Sequence, residues 1–122
     1  MICFDVPIPP RCLHPNARTH WRARAKATAE YREAVRRIAT QHAPAAALEI
    51  ATLHLHYWTK TAHEPDDDGL VCWFKAGRDG LADGGIITND KRFIQLPPAW
   101  GKDAKYPRVT VTITDNNCGR IG

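Results

Sequence analysis

The sequence predicts an α+β fold: a small mixed β-sheet with two main helices packed on it. Three observations carry this. Residues 49–60 and 108–114 alternate apolar and polar side chains, the period of a half-buried strand. Residues 21–42 are rich in Ala, Arg and Glu and contain no Gly or Pro, which suits a long helix. The elements read in the order strand, helix, strand, helix, short strand, strand, and that order puts the helices on one side of a mixed sheet.

Ile2 to Ile8 reads as a short strand that ends at Pro9-Pro10. Arg11 to His20 contains Pro15 and Asn16 and reads as a loop. The helix from Trp21 to His42 carries a narrow apolar stripe at Tyr31, Val35 and Ile38, and Pro44 closes it. In the strand from Glu49 to Lys60, Ala51, Leu53, Leu55 and Tyr57 point one way, while Thr52, His54, His56 and Trp58 point the other. Thr61 to Pro65 is a connection. A second helix is expected from Gly69 to Ala82, with Asp68 as its N-cap. Leu70, Trp73, Phe74, Gly77 and Leu81 would face the core. Asp68, Cys72, Lys75 and Asp79 form a second stripe on that helix. Asp83-Gly84-Gly85 stops it, and Thr88-Asn89-Asp90 makes a turn. Phe93 to Leu96 reads as a strand stopped by Pro97-Pro98, and Trp100 to Tyr106 as a polar loop. Arg108 to Thr114 sets Val109, Val111 and Ile113 against threonines and reads as the last strand, before a polar tail.

A chain of 122 residues is one domain by size, spanning 1–122. Hydrophobic residues make up 43% and charged residues 25%, the composition of an ordinary globular protein. No apolar run approaches the roughly 20 residues that cross a bilayer. The first ten residues lack a basic region followed by an apolar stretch, so no signal peptide is expected and a cytoplasmic location is. The four cysteines are then expected as free thiols. Neither they nor the six histidines show metal-finger or His-Glu-x-x-His spacing.

The net charge of +4 is unevenly spread. Arg11, Arg18, Arg22, Arg24, Lys26, Arg32, Arg36 and Arg37 crowd the first third, against only Asp5, Glu30 and Glu33. The acids gather between Glu64 and Asp90. A basic arm can hold phosphates while an acidic centre holds cations, which is the division of labour in a metal-dependent nuclease.

Asp66-Asp67-Asp68 repel one another unless a positive charge sits among them. Mg²⁺ takes carboxylate oxygens and keeps several waters. Asp66 and Asp68 are two apart and face the same way in an extended segment. A solvated, helix-capping acidic loop accounts for the same residues. An EF-hand register fails, because its closing acid would fall at Lys75. Lys75 lies two turns after Asp68, with Asp79 one turn further. It either neutralises charge beside a metal-bound phosphate or simply pairs with Asp79 on the surface. Asp90 is either a third carboxylate or part of an Asn-Asp turn.

At these residues the sequence resembles the RusA family of Holliday-junction resolvases. The family's acidic motif runs Asp-x-Asp-Asn-Leu, a lysine, Asp-Ala/Gly-Leu and a later Asp. Here it reads Asp66-Asp67-Asp68-Gly69-Leu70, Lys75, Asp79-Gly80-Leu81 and Asn89-Asp90. Pro9-Pro10 followed by Asn16, Arg18 and His20-Trp21 resembles the family's proline-ended first strand and basic loop. The resemblance runs from Ile2 to about Thr114. Gly69 replaces the usual asparagine, and the stretch from Leu70 to Lys75 is about one helical turn longer than in shorter members.

The resemblance implies an α+β homodimer with two active sites, each cutting one strand of a four-way DNA junction. It implies Asp66, Asp68 and Asp90 as Mg²⁺ ligands, with Asp67 as the alternative by a shift of one, and Lys75 as the catalytic lysine. Arg11, Arg18, Arg22, Arg24 and Lys26 would then contact phosphates without reading bases. The expected activity is Mg²⁺-dependent resolution of Holliday junctions in DNA recombination and repair. The alternatives are a nuclease of another specificity, such as flaps, forks or general duplex DNA, and a catalytically idle or differently specific branched-DNA-binding dimer.

Overall fold

A computed structural model describes residues 1–15, 17–60 and 67–116, with the side chains of 67 and 68 outside the description. The architecture is α+β, a mixed five-stranded sheet with its main helices on one face. Strand β1 (Ile2–Val6) pairs antiparallel with β5 (Arg108–Asp115), which pairs antiparallel with β2 (Ala51–Thr59). On the other edge of β2 lie β3 (Phe93–Gln95) and β4 (Ala99–Lys102), both parallel to it. Leu96-Pro97-Pro98 separates these two short strands, because proline has no N–H to give to a ladder. The pairing that continues at β4 corrects the expectation of a polar loop from Trp100. Trp100 lies opposite Tyr57 and packs against the core, a tertiary contact that its polar neighbours in sequence do not signal.

The alternation in β2 has the expected phase. Ala51, Leu53, Leu55 and Tyr57 are fully buried, as are Val109, Val111 and Ile113 on β5. Their outward neighbours stay half-exposed. Helix α1 (Trp21–His42) has the expected limits. His20 caps it by accepting from the Arg22 N–H through Nδ1. Its end at Ala43, in extended conformation, follows from Pro44, which disfavours helical geometry in the residue before it. Its buried stripe is Tyr31, Val35 and Ala39, with Ile38 only partly covered.

The second helix is not continuous. It divides into α2 (Asp67–Trp73) and α3 (Lys75–Asp83) at Phe74, which has φ −90° and ψ 7°. Phe74 donates to the Val71 carbonyl three residues back, a tightened turn. Two aromatic contacts flank the break. Trp73 stacks on Tyr57 of the sheet, while the next residue, Phe74, meets Tyr31 of α1 edge-on. Trp73 and Phe74, the residues at the break, thus anchor it to the sheet and to α1. Asp68 therefore sits inside the first turn of α2 rather than before it, and the predicted stripe from Asp68 to Asp79 does not run along one helix.

Helix α3 lies tight against α1. A Cβ on Gly80 would stand 2.6 Å from the Arg32 carbonyl oxygen, and one on Gly84 would stand 2.6 Å from Ala39 Cβ. The Asp-Gly-Leu triplet thus has a structural reading: Gly80 lets the backbones approach, Leu81 is fully buried, and Asp79 is left facing outward beside them. From α3 the chain turns at Gly85 (φ +92°), makes a parallel bridge from Ile87 to Leu48, and returns to the sheet edge at β3. This crossover from β2 to its parallel neighbour brings Asp90 back beside α3.

Candidate active site

Lys75 stands at the start of α3 and Asp79 one turn later. Asp90 opens a short 3₁₀ turn, Asp90–Arg92, that Asn89 caps by accepting from the Lys91 N–H. Arg78 donates to the Asp90 carbonyl oxygen at 2.8 Å and lies over the Phe93 ring, which fixes this turn to α3. The result is that Lys75 Nζ donates to Asp79 Oδ1 at 3.0 Å and to Asp90 Oδ2 at 2.7 Å. The lysine side chain is 61% exposed, whereas Asp79 and Asp90 are 24% and 19% exposed. The carboxylates are anchored in the surface and the ammonium rides above them.

The electrostatics follow from this geometry. The Lys75 hydrogen bond holds the Asp90 carboxyl below its ordinary range, and the same bond raises the Lys75 ammonium. Arg32 of α1 adds a second positive group. It forks onto Asp83 at 2.5 and 2.9 Å and reaches Asp79 Oδ2 at 3.9 Å. The Asp83 carboxyl is lowered chiefly by that fork.

The basic arm adjoins this cluster. Arg24 Nη2 donates to the His14 carbonyl at 2.9 Å, which holds the loop against α1. Arg24 also lines a cavity of about 130 Å³ together with Thr28, Cys72, Trp73, Lys75 and Asp79. Arg11, Arg18, Arg22 and Lys26 are exposed. Arg22 lies 5.2 Å from the Trp21 ring, and Lys26 reaches Glu30 at 3.9 Å. Aromatic groups fasten the same region to the core: Tyr31 donates to the Pro7 carbonyl, Tyr57 to the Leu70 carbonyl, and Trp73 Nε1 to the Pro10 carbonyl. Burial raises both tyrosine hydroxyls, so they stay protonated donors.

Of the residues singled out in the sequence, the structure joins Lys75 with Asp90 and sets Arg24 beside them. Asp66 and Asn16 lie outside the described residues, and for Asp67 and Asp68 only the helical backbone is described. Sequence reasoning gave no site role to Asp79, Arg32, Arg78 or Trp73. The spacing of four residues from Lys75 to Asp79 was the available signal for the first. Nothing local signals the others, which reach the cluster through the packing of α1, α2 and α3.

Among the described residues, no group of three or more His, Cys, Asp or Glu side chains is arranged to hold a metal ion. What is present suits Mg²⁺ in kind. Asp79 and Asp90 offer hard oxygen donors that already hold one cation, the Lys75 ammonium. Also among the described residues, no helix is long and apolar enough to cross a membrane.

No protein-family model matches the chain. A protein of Xylella fastidiosa (strain Temecula1 / ATCC 700964), described as an uncharacterized protein, is 35% identical over 118 residues, covering 93% of this chain and 76% of that one. The chain belongs to the same family as that protein.

Proposed function

We propose that this chain is a Mg²⁺-dependent endodeoxyribonuclease of the RusA kind, a cytoplasmic homodimer that resolves four-way DNA junctions by paired strand cleavage. The observation that carries this reading is the meeting of Lys75, Asp79 and Asp90 on one exposed surface, next to Arg24 of the basic arm. Lys75 and Asp90 are the lysine and the later aspartate of the motif on which the resemblance rests, and Asp79 is the aspartate of its Asp-Gly-Leu triplet.

Asp66, Asp68 and Asp90 would hold the metal, and Asp79 shares the Lys75 ammonium with Asp90. Bound there, Mg²⁺ would polarise the scissile phosphate and acidify a bound water. The chain's own groups divide the remaining work. Lys75 is solvated enough to swing from its carboxylates to a phosphate oxygen, where it stabilises developing negative charge. Its displacement would leave the Asp90 oxygen free to ligate. Arg11, Arg18, Arg22, Arg24 and Lys26 supply sequence-independent phosphate affinity, and branched DNA is selected by shape and by the spacing of two sites in the dimer.

The test is incubation of the purified protein with a synthetic four-way junction and a matched linear duplex, with Mg²⁺ and with EDTA. Mg²⁺-dependent, symmetrically paired nicks on the junction alone are expected. Asp68→Asn should abolish cleavage and keep junction binding, and Mg²⁺-dependent cutting by that variant would sink the assignment.

A further inference from the structure

A larger cavity, about 350 Å³, lies beside the lysine–aspartate cluster and is lined by Arg11, His14, Ala17 and Trp73. Trp73 also lines the smaller cavity that contains Lys75, so its indole is a wall common to both. The indole is fixed. Tyr57 stacks against it at 5.8 Å with an interplanar angle of 8°. Its Nε1 donates to the Pro10 carbonyl at 2.8 Å, and His14 meets it edge-on at 5.6 Å. An aromatic plane held this firmly has little freedom left to lose when a ligand stacks on it.

An aromatic surface beside an exposed guanidinium is chemistry suited to a nucleotide. The π-face accepts any base, and Arg11 matches a phosphate through paired N–H donors. The volume sits at the low end of small-ligand pockets, which run roughly 300–1,000 Å³, enough for a single nucleotide. A base inside a duplex is already stacked on both faces and must leave the helix before it can enter such a pocket. We propose that this cavity binds one unpaired nucleotide of a DNA strand, its base against Trp73 and its phosphate toward Arg11. The inference rests on the DNA substrate proposed above and deepens it: at a branch point, an unpaired nucleotide held here would lie next to Lys75.

The test measures affinity in EDTA, where no hydrolysis occurs, for a short labelled oligothymidylate and a labelled duplex of equal length. Ala17→Phe fills the cavity from the loop side without removing a core contact. It should weaken oligothymidylate binding about tenfold or more, as expected for loss of one base–aromatic stack, and change duplex binding less than about twofold. Trp73→Leu should do the same if it melts as cooperatively as the native chain. Should it fail to fold, Ala17→Phe decides. Unchanged oligothymidylate binding in Ala17→Phe, or equal loss on both DNAs, overturns the proposal. Junction cleavage is scored separately. A protein that cuts no junction yet loses single-strand affinity in Ala17→Phe keeps the nucleotide cavity and rejects the nuclease reading. Normal cleavage with unchanged single-strand affinity does the reverse.

Discussion

Lys75 and Asp90 meet across 15 residues of sequence, with Nζ 2.7 Å from Oδ2. The pair ties the start of α3 to the turn before β3, and its hydrogen bond holds the Asp90 carboxyl below and the Lys75 ammonium above their ordinary ranges. Replacing the lysine by methionine removes the first cause of the low Asp90 carboxyl. The Asp90 carboxyl should then titrate nearer the ordinary carboxylate range, read by carbon-13 NMR. Stability should change by no more than about 1 kcal/mol, because the pair is solvated. Junction cleavage should fall by about 10²–10³, the usual loss for one group that stabilises transition-state charge. An unchanged Asp90 titration would contradict the geometry; an unchanged cleavage rate would contradict only the catalytic role.

Gly80 is a contact between helices before it is anything else. Gly80→Ala places a methyl group 2.6 Å from a backbone oxygen of α1. Overpacking of this kind costs about 1–3 kcal/mol, against a gain of up to about 1 kcal/mol in helix propensity. Urea denaturation should show a net loss, up to about 2 kcal/mol. A variant more stable than the native chain would mean that α1 and α3 are further apart than described.

The Arg32–Asp83 fork makes stability depend on pH in a defined direction. The folded Asp83 carboxyl lies below its unfolded value, chiefly through its hydrogen bonds with Arg32. The contribution is therefore present above the unfolded value, roughly 4, and is lost as pH falls through the folded one. Its size is at most about 1 kcal/mol, since about half of the Arg32 side chain is in solvent. The stability difference between native chain and Arg32→Gln should be measurable at pH 7 and shrink by pH 3. A difference that stays constant with pH would remove the fork from the account.

Arginines of the basic arm differ in engagement, and salt dependence separates them. Arg11→Gln and Arg18→Gln should weaken junction binding and reduce the log–log salt slope by about 0.9 each, one phosphate contact apiece. Arg24 already holds the His14 carbonyl. Arg24→Gln should cost more affinity than its change in slope accounts for, because the loop loosens. Equal slopes and equal losses for all three would show that Arg24 acts as one more phosphate contact.

Phe74 is where two packing demands are reconciled. Phe74→Ala leaves a void between α1 and α3 and should destabilise the chain by about 3–5 kcal/mol. Loss below about 1 kcal/mol in chemical denaturation would mean that the ring is not buried against α1 as described.

Local chemistry settled much of this molecule. Alternation fixed β2 and β5, because a strand with one buried face must place every second side chain inward, as Leu53, Leu55, Val111 and Ile113 are. The absence of Gly and Pro, with Pro44 beyond, fixed α1. The resemblance singled out Lys75 and Asp90 as residues, though not their distance. Three things waited on the tertiary structure. The break at Phe74 lies between two long-range aromatic contacts, Trp73 with Tyr57 and Phe74 with Tyr31, and neither partner is signalled in the local sequence. Strand β4 exists because β2 offers a free edge past Pro97-Pro98, a partner distant in sequence. The convergence of Asp79, Asp90 and Arg32 around Lys75 depends on a parallel crossover that returns the chain to its starting edge and on α1 lying against α3. Periodicity reports which face of an element is buried, but only packing decides which faces meet.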